Sequence, residues 1–115
     1  MDKVIYTWKE FEKDTLALAY LCEGGEYEAI FGVPRGGCCL AVRMSSLLRL
    51  PLVARPDTGV LVVDEVIDSG ATRNGLRIYN FACLHKKCNA QYIAHTMTYS
   101  LHNVGPEWIV YPWEG

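Results

Sequence analysis

An unbroken apolar run, Val60–Val63, passes directly into two neighbouring carboxylates, Asp64 and Glu65. Successive residues of a strand point to opposite faces of a sheet, so a strand without polar positions needs cover on both faces. Such strands are typical of the interior of a parallel sheet, where helices pack on each side. The run therefore restricts this chain to a layered α/β fold.

The order strand, loop, helix is predicted twice around this run. The elements are strand Ala29–Val33, loop Pro34–Gly37, helix Cys38–Leu50, strand Val60–Val63, loop Asp64–Thr72 and helix Arg73–Leu84. Right-handed crossovers bring the loops that follow parallel strands to the same edge of the sheet. We expect a three-layer, Rossmann-like, mainly parallel sheet with helices on both faces and both loops at its carboxyl edge.

Thr7 and Glu10 have the spacing of a capping box, which predicts a helix that begins directly after Thr7. Tyr6 and Phe11 stand at the positions of the hydrophobic staple that accompanies such a box. The pair Gly24-Gly25 is a typical stop signal. We expect this helix to serve packing and not chemistry.

Three further segments have strand-like composition: Leu52–Ala54, Gln91–Tyr99 and Trp108–Tyr111, with the last two separated by the loop Ser100–Pro106. Neither a linker nor a repeat divides the sequence. We therefore expect residues 1–115 to form a single domain.

The composition excludes several classes of protein. The net charge of -2 provides no basic field for nucleic acid, so no nucleic-acid partner is expected. No apolar run approaches the roughly 18 residues of a membrane span, and the first residues lack a signal-peptide core, which favours the cytoplasm and no membrane partner. The five cysteines lack zinc spacing, and we expect them to be free and buried.

The segment Asp68–Thr72, here named the 68–72 loop, has the composition of an anion site. Successive backbone amides at the start of a helix can surround a phosphate, and Ser69 and Thr72 add hydroxyl donors. Gly70 permits close backbone approach or a positive φ. Because carboxylates repel a phosphate, Asp64 and Glu65 instead suit sugar hydroxyls or a metal ion.

The whole stretch Val60–Thr72 resembles the phosphoribosyl diphosphate signature of type I phosphoribosyltransferases. The resemblance implies that Asp64 and Glu65 bind the ribose hydroxyls and that Asp68, Ser69, Gly70, Ala71 and Thr72 hold the 5-phosphate. In purine members of the family the acid matching Asp68 lies near N7 of the base, which implies a catalytic role in handling its proton. The alternative is that Asp68 only stabilises a helix start.

The segment Pro34–Gly37, here named the 34–37 loop, matches the pyrophosphate loop of the same family. Arg35 offers several donors to an oxyanion, and Gly36 and Gly37 are conformationally permissive. Taken alone, this pattern is also an ordinary turn. The family often has a non-proline cis peptide before the basic residue, which implies one between Pro34 and Arg35.

Magnesium is the cofactor that the resemblance implies, because a hard cation neutralises a diphosphate leaving group. The substrate would bring most of its ligands, and Asp64 or Glu65 would contribute, in part through water.

The segment Glu107–Glu114 resembles the closing segment of xanthine and hypoxanthine phosphoribosyltransferases. That resemblance implies a minimal hood in which Trp108 stacks on a purine beside Ile109. The alternative is a terminal strand of aromatic core residues. The base-reading lysine of purine members is absent from Thr96–Ser100, and only Arg55–Gly59 connect the strands where the family has a long mobile loop.

The function implied is transfer of a phosphoribosyl group from phosphoribosyl diphosphate to a nucleobase of purine type, in a shortened form of the family. The alternative is a non-catalytic regulatory protein that binds phosphoribosyl ligands. A nucleotide-phosphate hydrolase is disfavoured because the sequence has no Walker lysine. Family analogy also implies a possible homodimer.

Overall fold

The structure is a computed structural model that describes residues 2–114. The elements in chain order are β1 (Lys3–Ile5), α1 (Trp8–Cys22), β2 (Ala29–Gly32), α2 (Cys38–Leu48), β3 (Val60–Ile67), α3 (Ala71–Gly75), β4 (Asn80–Lys87), β5 (Thr98–Val104), β6 (Trp108–Val110) and the 3-10 turn Pro112–Glu114. The helix α1 begins and ends where the sequence predicts, and the capping box of Thr7 and Glu10 is formed.

Four strands form one sheet in the order β2-β3-β4-β5, and every pairing in it is parallel. The unbroken apolar strand β3 lies inside the sheet, where Val63 pairs with Gly32 on one side and Ala82 on the other. A second, two-stranded parallel sheet pairs β1 with β6. The α/β class and the parallel sheet expected from the sequence are confirmed.

The main core lies between the sheet and the helices α1 and α2. Leu18, Leu40 and Met44 of these helices are fully buried against Leu61 and Val63 of β3. On the opposite face, a smaller cluster around Val62, Ile67, Phe81 and Cys83 is covered by Arg73 of α3 and by the irregular chain on either side of β4, from which Leu76, Tyr79, Ala90 and Tyr92 pack against it. Cover on both faces explains why β3 has no polar residue before Asp64.

The helix predicted for Arg73–Leu84 is wrong. The helix α3 ends at Gly75, and Asn80–Lys87 forms the central strand β4. Residues Phe81 to Leu84 are all fully buried, because β4 is flanked by β3 and β5 and covered on both faces. A continuous apolar run fits such a strand as well as a helix, and tertiary pairing decides between them.

The strand predicted for Gln91–Tyr99 begins only at Thr98 and continues through most of the predicted loop Ser100–Pro106. Residues 91–95 are irregular because their amides bond to the chain around α3 and not to a strand. Gln91 N–H donates to the Ser69 carbonyl (2.9 Å) and His95 N–H to the Arg77 carbonyl (2.9 Å). The predicted strand Leu52–Ala54 is reduced to one bridge, between Leu52 and Ile30.

The five cysteines are free, as expected, but they are not all buried. Cys22 and Cys83 are buried, Cys39 is half-buried, and Cys38 and Cys88 are exposed. Within residues 2–114, no helix combines the length and the apolar character that crossing a bilayer requires.

Candidate functional site

The 34–37 loop and the carboxyl half of β3 meet at one edge of the sheet. Val33 N–H donates to the Val63 carbonyl (2.9 Å), which joins the start of the loop to β3. Gly37 then passes so close to β3 that a β carbon would lie 2.5 Å from the Val63 carbonyl oxygen. Any side chain at position 37 would therefore push the loop off the strand.

The peptide bond between Pro34 and Arg35 is cis, as the family resemblance implies. Arg35 is exposed and lines a cavity of about 520 Å³. The remaining lining residues are Gly36, Cys39, Glu65, Trp113 and Glu114. A guanidinium with free donors at an open cavity is suited to bind an oxyanion.

Asp64 and Glu65 lie within β3 and not in the loop after it, because the strand continues to Ile67. Asp64 is 7% exposed, and its Oδ1 accepts the N–H of Glu65 (2.9 Å). Burial, and secondarily the neighbouring Glu65 carboxyl, raise the pKa of Asp64 well above the ordinary range of a carboxyl. The pair therefore favours a cation or hydroxyl donors as ligands.

No protein cation compensates this pair among residues 2–114. The contacts between basic and acidic side chains there join Arg43 to Glu12 and His102 to Asp14, both away from β3. Carboxylates held together without a cation are commonly found where a ligand completes the charge balance.

The 68–72 loop surrounds a cavity of about 190 Å³ whose lining runs from Asp64 to Arg73. Asp68, Ser69 and Thr72 are exposed to it, and Ser69 Oγ accepts the N–H of Ala71 (3.2 Å). Since α3 has only five residues, an anion here would be held by loop amides and hydroxyls more than by a helix dipole. The loop is open to solvent and has room for a phosphate.

Gly70 is the position in this loop that admits no other residue. Its φ is 100°, and a β carbon would lie 2.1 Å from the carbonyl oxygen of Gln91. The chain around Gln91 thus packs directly on the back of the 68–72 loop. Both the backbone conformation and the contact require glycine.

A third cavity, of about 190 Å³, adjoins the first two. Its lining includes Asp68, Lys87, Trp108 and Ile109. Trp108 is 50% exposed and stands outside the core, whereas Ile109 is buried. The alternative that Trp108 is a core residue is thereby disfavoured, although Tyr111 and Trp113 of the same segment do belong to the core cluster.

Lys87 is a candidate site residue that the sequence interpretation missed. It ends β4, it is 6% exposed, and its Nζ donates to the carbonyl of Glu107. The sequence interpretation considers a base-side lysine only at Thr96–Ser100, because it predicts a helix up to Leu84 and no strand at Asn80–Lys87. The available signal was the pair Lys86-Lys87 closing an apolar run.

Glu65 lines all three cavities, and its backbone contacts a buried side chain of the core. The Tyr111 hydroxyl donates to the Glu65 carbonyl (3.4 Å) and lies 2.9 Å from His85 Nδ1. Since the hydroxyl has one proton, His85 then donates from Nδ1. This buried chain fixes β3 at the point where the acidic pair emerges.

No protein-family model matches this sequence. Solved structures nevertheless match nearly the whole chain. A hypothetical protein from Neisseria gonorrhoeae, solved with bound ppGpp, superposes with a TM-score of 0.86 at 24% sequence identity, over 99% of this chain and 90% of that one. At that identity the likeness shows the fold alone.

Two enzymes match over a similar extent. A purine phosphoribosyltransferase from Pyrococcus horikoshii has a TM-score of 0.80 and 27% identity, over 100% of this chain and 96% of that one. The xanthine-guanine-hypoxanthine phosphoribosyltransferase of Helicobacter pylori has a TM-score of 0.74 and 27% identity, over 97% and 92%.

Proposed function

Because this chain has the type I phosphoribosyltransferase fold, we propose that it transfers the 5-phosphoribosyl group of phosphoribosyl diphosphate to a purine-type base and releases diphosphate. The observation that carries the proposal is the position of Glu65, which lines three adjoining cavities. One cavity suits a phosphate, one a diphosphate and one a flat base. A ribose in contact with Glu65 would reach all three.

The two phosphate ends of the substrate have separate binding loops in this proposal. The 68–72 loop takes the 5-phosphate through backbone amides and the hydroxyls of Ser69 and Thr72. The 34–37 loop takes the diphosphate, with Arg35 as the charged donor. Asp64 and Glu65 accept hydrogen bonds from the ribose hydroxyls between the loops.

The same acidic pair fits Mg²⁺. Carboxylate oxygens are the ligands that this ion prefers, and it usually takes only one or two of them when phosphates supply the rest. Residues 2–114 contain no group of three or more His, Cys, Asp or Glu side chains arranged for a metal, so the phosphates of the substrate would have to supply the remaining ligands. Asp64 and Glu65 would hold the ion, which would neutralise charge on the departing diphosphate.

The base would lie between Trp108 and the end of β4. Trp108 offers an exposed aromatic face for stacking, with Ile109 behind it. Lys87 is suited to donate a hydrogen bond to an exocyclic oxygen of the base. Asp68 lines both the phosphate and the base cavities, so it is the candidate catalytic residue for the proton of the base nitrogen.

In the reaction, the bond between the anomeric carbon and the diphosphate oxygen breaks as a base nitrogen bonds to that carbon. Positive charge develops on the sugar, and the neighbouring carboxylates stabilise it. The proton of the attacking nitrogen passes to Asp68 or to water. Holding both phosphate ends fixes the sugar for in-line attack, which lowers the entropic barrier.

The direct test incubates the protein and Mg²⁺ with phosphoribosyl diphosphate and, in separate reactions, hypoxanthine, guanine, xanthine and adenine. Formation of nucleotide and diphosphate in equal amounts supports the proposal. The variant Asp68→Asn serves as the catalytic control, since it should retain binding and lose rate. Absence of product from all four bases would contradict an enzymatic role.

A second candidate function is non-catalytic binding of a phosphorylated nucleotide. The Neisseria gonorrhoeae protein of the same fold was solved with ppGpp, and only residues 49–59 join α2 to β3 here, which leaves little chain to close over a reaction. Calorimetry with ppGpp and with phosphoribosyl diphosphate distinguishes the two. Binding of either ligand without turnover would favour this candidate.

A further inference from the structure

Arg73 is a fully buried arginine directly behind the 68–72 loop. It is 1% exposed, yet it lines the same cavity as Asp68–Thr72. Among residues 2–114 no carboxylate lies within salt-bridge distance of it, since the contacts of that kind there involve Arg43 and His102. A buried guanidinium without an acidic partner is uncommon, because burial of a charge is unfavourable unless something compensates it.

The guanidinium is instead satisfied by neutral oxygens. Nε donates to Thr98 Oγ1 (3.0 Å), Nη1 to the carbonyls of Leu76 (2.9 Å) and Tyr79 (3.1 Å), and Nη2 to Thr96 Oγ1 (3.2 Å). Its plane also lies over the ring of Phe81, 5.1 Å from the centroid. These contacts fasten α3 to the turn after it and to the start of β5.

Arg73 contacts the end of the segment 91–98, and this segment packs on the 68–72 loop. Gln91 N–H donates to the Ser69 carbonyl (2.9 Å), and Ile93 N–H donates to Asn74 Oδ1 (3.1 Å). Residues 91–98 therefore run along the back of the 68–72 loop and are held at their far end by Arg73. A shift of the guanidinium would move this support and, with it, the amides of the loop.

We infer that Arg73 is a positioning residue for phosphate binding, which fixes the 68–72 loop through residues 91–98 and leaves an unpaired positive charge beside the anion. The inference rests on the proposed function, because it requires a phosphate at the 68–72 loop. Arg73 does not touch the ligand. Its donors are all engaged with protein oxygens, so it acts through the loop and through its charge.

The test compares two probes that the proposal assigns to different loops: ribose 5-phosphate for the 68–72 loop, and inorganic diphosphate with Mg²⁺ for the 34–37 loop. Calorimetry is performed with Arg73→Lys, which keeps the charge, and Arg73→Gln, which removes it. We expect at least about a tenfold loss of ribose 5-phosphate affinity in Arg73→Gln and a smaller loss in Arg73→Lys. Diphosphate affinity should be unchanged in both.

Thr98→Val keeps the arginine and removes only the acceptor of its Nε. This milder variant should lower the affinity for ribose 5-phosphate and leave the affinity for diphosphate unchanged. It tests the role of Arg73 if Arg73→Gln does not fold. Arg77→Gln is the matched control, because Arg77 is exposed and bonds only locally to the Asn74 carbonyl (3.0 Å).

Equal losses for both probes, or no loss for ribose 5-phosphate, would overturn the inference and assign Arg73 to folding alone. If the unmodified chain binds diphosphate and ribose 5-phosphate but the variants change the affinity for both probes equally, the proposed function stands without this role for Arg73. If the unmodified chain binds neither probe, the proposed function fails and this inference falls with it.

Discussion

Glu65 and Gly36 lie in direct contact, so that a β carbon at position 36 would stand 1.4 Å from Glu65 Oε2. The contact joins the diphosphate loop of the proposed site to its ribose acids. Because Oε2 is the far end of a flexible side chain, Gly36→Ala would displace the carboxylate and not the backbone. The proposed site would then lose an acceptor without losing its fold.

We expect Gly36→Ala to lower the affinity for phosphoribosyl diphosphate by about tenfold or more and to change thermal stability little. Calorimetry in the presence of Mg²⁺ measures the affinity, and a thermal melting curve measures the stability. Gly24→Ala is the control, since a β carbon at that exposed glycine would meet nothing within 4 Å. Unchanged affinity in Gly36→Ala would show that Glu65 is not needed where the structure places it.

The double variant Asp64→Asn, Glu65→Gln tests the acidic pair. Neutral amides cannot balance a metal ion, and they accept the ribose hydroxyls more weakly, so binding of ribose 5-phosphate with Mg²⁺ should fall below detection. Folding should persist, because the substitution removes carboxylates whose burial, and secondarily whose proximity to each other, raises the pKa of Asp64. Glu23→Gln with Glu26→Gln removes two exposed carboxylates as a control. Retained binding in the first double variant would exclude these ribose contacts.

The carboxyl edge of the sheet could be predicted from the sequence because local patterns determine it. The apolar run of β3, the capping box of α1 and the two glycine loops each encode their own structure, and all are found, although β3 continues to Ile67 and so takes up the first half of the predicted loop Asp64–Thr72. Even the cis bond before Arg35 follows from the family resemblance.

The second half of the chain could not be predicted, because long-range pairing decides it. Phe81–Leu84 is apolar at every position, a pattern that suits a helix until β3 and β5 are known to flank it. Residues 91–95 have strand-like composition but bond to the chain around α3. The helix predicted up to Leu84 also hid Lys87, because without a strand predicted at Asn80–Lys87 nothing brings this lysine to the carboxyl edge of the sheet.

We expect Lys87 to donate a hydrogen bond to an exocyclic oxygen of the base. Replacing it with methionine keeps the length of the side chain and removes the donor, so kcat/KM with hypoxanthine or guanine should fall by about tenfold or more. The value with adenine, which has no exocyclic oxygen at the same position, should change less. Lys86→Met is the control, because Lys86 faces Tyr92 instead, with Nζ 5.8 Å from the ring centroid. An equal loss with all bases would assign Lys87 to structure alone.

His85 makes the stability of the fold depend on pH. Burial, and secondarily nearby His102, lower the pKa of His85 to about 4, whereas the unfolded chain has a histidine pKa of about 6.5. Between these values the unfolded state binds the additional proton. The free energy of unfolding should therefore decrease as the pH falls from about 6.5 to about 4, by up to about 3 kcal/mol from this residue, and become flat below.

Urea unfolding at a series of pH values measures this effect. His85→Gln retains a donor for Tyr111 but does not titrate, so its stability should fall less steeply over the same interval even if it is lower at neutral pH. His95→Gln, at an exposed position, should follow the unmodified chain. Parallel curves for His85→Gln and the unmodified chain would mean that His85 accepts a proton in the folded state, which burial and the neighbouring His102 oppose.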